Sequence, residues 1–402
     1  MAGVASSFEV AEEALRVVGE MEISARQVNK LTEQMGGEMA AERDARTERY
    51  VEEPLPRQPT TAEIPIEVAA VFCDGGRMRT RTPEQGHGIH RPHWRETKNA
   101  AFHRMRSEPL ETDPQPDLPD CFRNQAYVEK LVNGLKNLKN EGREELPDPA
   151  QAGVEVVASK LPAAEEPAPW QPETFFRTCL SSLAGSGDFG AMMAAEADAR
   201  GFFTANRRAF VGDGQGYNWS IQQRWFPTFT AVTDFVHAVE YVYSAAKAIH
   251  PDDASARWRN YVGWANACWQ GRVSDVIDVL ARWLSEHGPS AERDPLPEND
   301  PRTTVQSTLT YFSNNQQRMD YSRYRRAGLP VTSSLAESLV KQINRRVKGT
   351  EKFWNDGPSG EAILQLRAAL ISDGHRLQKW IVNRQISSFS PRCQKVPQAT
   401  SA

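Results

Sequence analysis

Residues 68–76 read Val-Ala-Ala-Val-Phe-Cys-Asp-Gly-Gly, an apolar run followed by an acid and two glycines. A short apolar run that ends at such a turn signal predicts a buried β-strand, which here ends at Asp74. Residues 209–214, Ala-Phe-Val-Gly-Asp-Gly, repeat the pattern and place Asp213 at the end of a second strand. Because side chains at the carboxyl ends of neighbouring strands project into one crevice of an α/β sheet, we expect the two carboxylates to converge there.

Both acids also have a purely structural interpretation. Asp74-Gly75-Gly76 suits a hairpin turn, with Arg77–Arg81 as the returning strand and Trp94–Arg104 as a third strand. Asp213-Gly214 can be a simple loop between a strand and the helix that is predicted to start near Tyr217.

A third acid lies far along the chain. Glu337 belongs to an amphipathic helix predicted for residues 333–348, and it follows Ser334 at the spacing of a capping box, which would give it a structural role. Two or three carboxylates in one crevice suit Mg²⁺ or Mn²⁺, because these ions prefer oxygen ligands. A pair of such ions clamps a phosphodiester, activating the attacking oxygen and stabilising the leaving one.

The composition of the 402 residues argues against several classes of protein. No apolar run approaches the roughly 18 residues of a membrane span, and the first residues lack the basic-then-apolar pattern of a secretory signal. The cysteines are scattered and never have C-x-x-C spacing, which argues against a disulfide framework or a Cys-rich zinc site. They are Cys73, Cys121, Cys179, Cys268 and Cys393. A reducing cytoplasm fits this usage.

The net charge of -4 hides an asymmetry along the chain. Residues 301–402 carry 16 basic and 6 acidic side chains, so this part has a charge of +10 and residues 1–300 have -14. A basic C-terminal part on an acidic protein predicts a polyanionic partner for that part alone. A solvated basic helix surface explains the same charge without a partner.

Four groups of residues occur in a fixed order along the chain. They are Asp74-Gly75-Gly76-Arg77 with Trp94-Arg95-Glu96 and Lys98; residues 209–214 with Asn218-Trp219 and Phe226-Pro227; Asp234-Phe235-Val236-His237 with Glu240-Tyr241 and Ala245-Ala246; and Gly328-Leu329-Pro330, Ser334, Glu337, Lys341, Asn344-Arg345-Arg346, Trp354 and Arg367. In these residues the sequence resembles bacterial insertion-sequence transposases of the DDE type, in the ISKra-like branch related to Mutator-like transposases. The resemblance covers about residues 68–104 and 175–384.

The resemblance implies an α/β, RNase H-like fold, with a mixed sheet, flanking helices and an all-α insertion before the last catalytic acid. It implies that Asp74, Asp213 and Glu337 hold two Mg²⁺ (or Mn²⁺) ions, and that Asp234 and His237 are auxiliary catalytic residues. His237 follows Asp234 by three residues, so the two side chains can hydrogen-bond on one face of a helix. An ordinary structural pair accounts for the same spacing.

We expect the following organisation. Residues 1–50 form an N-terminal helical segment, and residues 51–66 are a linker. The catalytic domain consists of residues 67–106 and 175–250, and a Pro-rich, partly disordered surface insertion at 107–174, with one helix near 127–140, separates its two parts. Residues 251–330 are a helical insertion, 331–385 contain the last catalytic helix and a basic C-terminal part, and 386–402 are a disordered tail. In the first segment a helix capped by Ser24 is expected to end at Gly36-Gly37. With the shorter helix before it, this helix is either a helix-turn-helix that reads DNA or a plain helical hairpin.

Basic side chains are the candidates for DNA contact. They are Arg77, Arg323, Arg325, Arg326, Lys341, Arg345, Arg346 and Lys348. The three arginines at 323–326 alternate with Tyr321 and Tyr324, which suits phosphate contact and base stacking. Salt bridges and solvation explain the basic face of the last helix equally well.

Together these features predict a DNA transposase that cleaves phosphodiesters and transfers strands of an insertion sequence. Its partners are expected to be transposon ends and target DNA, which it binds as a homodimer or higher oligomer, with no membrane partner. Its expected location is the bacterial cytoplasm, at the nucleoid. The alternatives are a catalytically inactive, transposon-derived DNA-binding protein and a host nuclease of the same fold.

Overall fold

The computed structural model describes residues 3, 5, 7–81, 93–140, 169–288, 300–332, 342–344, 346–347, 354–355 and 357–384. Its centre is a mixed sheet with the strand order β3-β2-β1-β4-β5, and β6 pairs with the end of β1. The strands are β1 (Val68–Arg81), β2 (His93–Arg106), β3 (Glu173–Ser182), β4 (Arg207–Gly212), β5 (Thr230–Thr233) and β6 (Trp354–Asn355). Strand β2 is antiparallel to β1 and β3, whereas β4 is parallel to β1 and β5. The expected α/β class is confirmed at this level.

Strand β1 is twice as long as the sequence pattern predicts. It runs through Asp74-Gly75-Gly76 to Arg81, and β2 pairs with it from Val68↔Met105 to Thr80↔His93. The prediction of a hairpin turn at Asp74 and of a returning strand at Arg77–Arg81 is therefore wrong. The glycines remain extended because β2 supplies hydrogen-bond partners along the whole length of β1.

Strand β3 was not predicted, because it begins directly after the Pro-rich stretch that was assigned to an insertion. Its residues Thr178–Ser182 are buried, and it pairs with β2 from Arg106↔Glu173 to Lys98↔Ser182. A partner strand, rather than a local pattern of apolar residues, determines that this segment is extended.

Helices cover both faces of the sheet. They are α1 (Phe8–Val17), α2 (Ala25–Glu52), α3 (Gln125–Asn140), α4 (Ser186–Asp198), α5 (Gly216–Trp225), α6 (Phe235–Ile249), α7 (Ala254–Trp269), α8 (Val273–His287), α9 (Pro301–Asn315), α10 (Tyr321–Arg326), α11 (Pro358–Leu370) and α12 (Arg376–Asn383). Val68, Ala70 and Phe72 contribute to the core on the side of α3 and α6, and the alternate residues Ala69 and Val71 contribute to the core on the side of α4 and α5. Because β1 is buried on both faces, its sequence is a continuous apolar run rather than an alternation.

The segment 107–140 belongs to the core, which corrects the expectation of a surface insertion. Leu118, Phe122 and Leu131 are buried, and the ring of Phe122 lies 5.2 Å from that of Phe235 at the start of α6. Burial of these apolar side chains holds the proline-containing chain against the sheet. Residues 141–168, the rest of the expected insertion, lie outside the described residues.

Helix α2 does not end at Gly36-Gly37, as the sequence predicted, but continues to Glu52. The predicted cap is confirmed, because the Ser24 hydroxyl accepts a hydrogen bond from the Gln27 amide in a capping box. Gly36 is buried where α2 crosses α11, and a Cβ at this position would overlap the backbone of Ala362. The glycine is therefore a close-approach residue in a long helix, and not a helix stop. Within the described residues no helix combines the length and the apolar composition of a membrane span.

Substitution Gly36→Ala tests this crossing. We expect it to lower the free energy of unfolding by about 1–3 kcal/mol, because the new methyl group must push apart two backbones. Gly37→Ala is the matched control: no atom lies within 4 Å of its Cβ position, so helix propensity alone should stabilise the protein by up to about 1 kcal/mol. Urea unfolding of both variants measures the difference, and equal stabilities would contradict the close approach.

Candidate functional site

Three aspartates follow matched positions on three adjacent parallel strands. Asp74 comes after Cys73, which pairs with Gly212, and Asp213 comes after Gly212. Gly212 in turn pairs with Thr233, and Asp234 comes directly after Thr233. The parallel register therefore brings the three acids to the same edge of the sheet, at the carboxyl ends of β4 and β5 and midway along β1. Asp74 and Asp213 therefore follow paired positions of β1 and β4, but Asp74 lies within its strand and not at the strand end that the sequence predicted.

The loop after β4 holds the carboxylate of Asp213 in place. Its Oδ1 accepts hydrogen bonds from the Gln215 amide at 3.0 Å and from Asn218 Nδ2 at 2.7 Å. The Tyr311 hydroxyl donates to the Asp213 carbonyl oxygen at 3.1 Å. Gly214 has a φ of 94°, and a Cβ there would overlap the ring of Tyr311, so this turn requires glycine. These bonds fix Oδ1 of a nearly buried carboxylate.

Asp234 and His237 form a buried pair behind these acids. Asp234 Oδ2 lies 2.7 Å from His237 Nδ1, while Asp234 Oδ1 accepts from the Val236 amide and caps α6. The hydrogen bond expected from their spacing is confirmed. Burial by itself lowers the pKa of His237, but the hydrogen bond with Asp234 and the charges of Asp234, Asp213 and Asp74 raise it to about 10. His237 is therefore a cation at neutral pH and lies within electrostatic reach of all three acids.

Sequence reasoning missed Tyr217 in the first turn of α5, and it placed Lys98 and Glu96 in the family motif without a role. Lys98 Nζ donates to Glu96 Oε1 at 2.6 Å and lies 3.7 Å from the ring centroid of Tyr217. Burial, together with the charges of Asp213, Asp74 and other nearby groups, holds the pKa of Tyr217 well above its ordinary value. The sequence did contain a signal that Tyr217 lies near the acids, because it follows Asp213 by four residues and lies in the first turn of the next helix.

Two oxygen atoms beside Asp213 are buried without a hydrogen-bond partner among the described residues. They are Tyr217 Oη and Asn218 Oδ1. Buried polar atoms are nearly always paired, so such atoms in one place indicate where a bound ion, water or substrate group belongs.

Glu337, the third expected metal ligand, lies outside the described residues, as do Lys341, Arg345 and Lys348. Within the described ranges no three His, Cys, Asp or Glu side chains are grouped closely enough to hold a metal ion. The register places Asp74 and Asp213 after paired strand positions, with Asp234 after the next strand and His237 hydrogen-bonded to it. The position of the last acid stays a prediction.

Two of the candidate DNA-binding arginines are buried, which corrects their assignment. Arg325 is fully buried and bidentate with Asp113, with bonds of 2.8 Å from Nε and 2.5 Å from Nη2, and its guanidinium lies 3.9 Å from the ring centroid of Trp269. Arg346 is 3% exposed and lies over the rings of Phe8 and Trp354. Side chains held in this way connect segments of the fold and cannot reach a phosphate.

The remaining candidates among the described residues are on the surface. Arg77, Arg323 and Arg326 are exposed, and Arg323 pairs with Asp320 at 3.2 Å. Tyr321 and Tyr324 are buried, so the expectation that they stack on bases is wrong. Arg77 lies three residues beyond Asp74 on β1 and is the exposed arginine of the first motif.

No protein-family model matches the chain, and none of the curated proteins is significantly similar to it. The resemblance to transposases therefore depends on the motifs of this sequence alone.

The pKa of His237 predicts how stability depends on pH. Because its folded pKa of about 10 exceeds the ordinary value of 6.5, the stabilisation from charged His237 is complete below pH 6.5 and is lost as pH rises through 10. Urea unfolding in EDTA should show this loss in the wild type. Asp234→Asn keeps the helix cap but removes the charge, so this variant should lose the dependence, whereas Asp300→Asn, a cap with no histidine partner, should keep it. Identical profiles for the wild type and Asp234→Asn would refute the ion pair.

Arg325 and Arg326 provide a second test. Arg325→Gln breaks a buried ion pair and should cost about 3–5 kcal/mol of unfolding free energy, with unchanged DNA affinity in the folded fraction. Arg326→Gln should leave stability within about 0.5 kcal/mol, because the side chain is exposed. Urea unfolding and fluorescence anisotropy with duplex DNA measure both quantities. A loss of DNA affinity in folded Arg325→Gln would restore Arg325 as a DNA ligand.

Proposed function

We propose that this protein is a metal-dependent DNA transposase of the DDE type, which cleaves phosphodiesters at the ends of an insertion sequence and joins them to target DNA. The observation that carries the proposal is the register of β1, β4 and β5, which aligns Asp74, Asp213 and Asp234 at one edge of the sheet. Those positions are the ones that the transposase motifs assign to catalytic residues.

The sheet supports an RNase H-like catalytic domain. Three consecutive strands are antiparallel, and two further strands lie parallel beside the first one, with helices on both faces. Helices α7–α10 occupy residues 254–326, between Asp234 and the position of Glu337, as expected for an all-α insertion before the last catalytic acid. Helices α7 and α9 pack on α6 and extend the core of the sheet domain.

The residues at this edge fit a divalent metal site. Asp74 and Asp213 provide carboxylate oxygens, and Tyr217 Oη and Asn218 Oδ1 beside them lack hydrogen-bond partners among the described residues. Oxygen donors of this kind suit Mg²⁺ or Mn²⁺. In the proposal Asp74, Asp213 and Glu337 hold two ions, which when bound supply activation of the attacking oxygen and stabilisation of the leaving oxygen.

The protein's own side chains have separate tasks around this reaction. The bonds from Gln215 and Asn218 orient the Asp213 carboxylate before any ligand arrives. Protonated His237 offsets part of the negative charge of three neighbouring acids and is held against Asp234 by their hydrogen bond. Lys98, ion-paired with Glu96 and next to the ring of Tyr217, places a positive charge opposite Gly75 in the strand register.

A cleavage assay with matched variants tests the proposal. The substrate is a supercoiled plasmid that carries the genomic segments flanking the coding sequence, incubated with Mg²⁺ or Mn²⁺. We expect Asp213→Asn and Asp74→Asn to lower cleavage by at least about 100-fold, because preorganised charge stabilisation of a transition state is worth this much or more. Asp278→Asn, an exposed acid on α8, should retain full activity and DNA affinity.

Each outcome of the assay identifies a different protein. Cleavage with strand joining that requires Asp74 and Asp213 supports the transposase, and cleavage without joining identifies a host nuclease of the same fold. DNA binding with no metal-dependent cleavage identifies an inactive transposon-derived protein. Cleavage that persists in Asp213→Asn would remove this residue from the active site.

A further inference from the structure

A buried carboxylate on α4 is surrounded by three arginines, two from other helices and one from the turn after α4. Glu196 is fully buried, and it pairs with Arg46 of α2 at 2.5 Å, with Arg376 of α12 at 2.8 Å and with Arg200 of the turn that follows α4. Burial raises the pKa of Glu196, but the charges of the three arginines outweigh it and hold the pKa below its ordinary value. One negative charge thus faces three positive charges, which leaves an excess of two.

This excess lies beside a cavity of about 120 Å³ between α2, β3, α11 and α12. The volume exceeds the roughly 30 Å³ that one water molecule occupies in the liquid. The charged residues in its lining are Arg43, Arg46, Arg376 and Glu42. Glu42 is engaged by Trp380 Nε1 at 2.8 Å, and Arg43 is engaged by Glu361 and Asp44.

Arg46 and Arg376 retain unused hydrogen-bond donors at this cavity. Among the described residues Arg46 bonds only through Nη2, and its Nε is buried without a partner. In the described part of the chain Arg376 bonds through Nη1 alone, to Glu196 and to the Cys179 carbonyl oxygen. A buried donor without a partner is costly, and two guanidinium groups with open donors match the oxygens of a tetrahedral anion.

We propose that this cavity binds a phosphate group through Arg46 and Arg376. The sheet register favours a nucleic-acid backbone as its source, because Leu180 in the lining pairs with Ala100, and Ala100 pairs with Cys73 beside Asp74. The cavity therefore lies two strands from the acids, roughly 10 Å at about 4.8 Å per strand. That separation corresponds to about three nucleotides at 3.4 Å each, so one DNA strand can reach both places. If the phosphate belongs to DNA, the inference depends on the proposed function. If the ligand is free inorganic phosphate, the inference is independent of that function.

The test uses the full chain and two probes, inorganic phosphate and a metal-free 20-base-pair duplex. We expect phosphate to bind in calorimetry and to raise the melting temperature, and Arg46→Gln to weaken this binding by about tenfold or more, the value of one charge-assisted hydrogen bond. Arg49→Gln, an exposed arginine one turn further along α2, is the matched control and should bind like the wild type. The Arg46→Gln variant should fold, because Glu196 remains paired with Arg200 and Arg376. If this variant does not fold, Arg46→Lys and Arg376→Gln test the same site.

The outcomes separate the two sources and the two proposals. A loss of both phosphate and duplex affinity in Arg46→Gln, with a shallower salt dependence of duplex binding, identifies a DNA phosphate. A loss of phosphate affinity alone identifies a free anion. Wild-type protein that binds no phosphate, together with unchanged duplex affinity in the variants, overturns the site. Failure of metal-dependent cleavage would refute the transposase function and leave a positive phosphate result intact.

Discussion

The parallel pairing of β1 with β4 is the constraint on which the rest of the structure depends. It runs from Val68↔Arg207 to Cys73↔Gly212 and so sets the level of Asp74 relative to Asp213. Both strands are buried on both faces, so a register shift of one residue would move every apolar side chain to the opposite face. Core packing and the placement of the acids are therefore fixed by the same contacts.

The environment of the acids is assembled from distant parts of the chain. Tyr311 from α9 fixes the loop of Asp213, and Asn315 from the same helix bonds with Trp219 of α5. Phe235, next to Asp234, packs against Trp269 and Tyr321. The helices between residues 254 and 326 thus pack against the segments that carry Asp213 and Asp234, which explains why so many of their aromatic side chains are buried. For the proposed phosphoryl transfer, positioning of this kind is the main contribution that a protein makes.

Some arginines of this structure are buried and connect segments of the chain, while others are exposed, and the sequence alone does not distinguish the two kinds. Arg325 and Arg346 are buried under aromatic rings and connect segments of the chain, whereas Arg77 and Arg326 are exposed. Arg46 and Arg376 combine both roles, because each is tied to Glu196 and still presents donors to a cavity. The total charge of +10 in residues 301–402 therefore overstates the number of side chains available to a polyanion.

Local patterns were sufficient to predict β4 and the Ser24 cap, because each depends on residues within a few positions of one another. The i+3 spacing of Asp234 and His237 likewise predicted their hydrogen bond. Tertiary contacts decided the rest. Pairing with β2 keeps Asp74-Gly75-Gly76 extended, pairing with β2 also makes β3 a strand, and the crossing with α11 lets α2 continue through Gly36. In each of these cases the partner lies far away in the chain, so no local pattern could contain the answer.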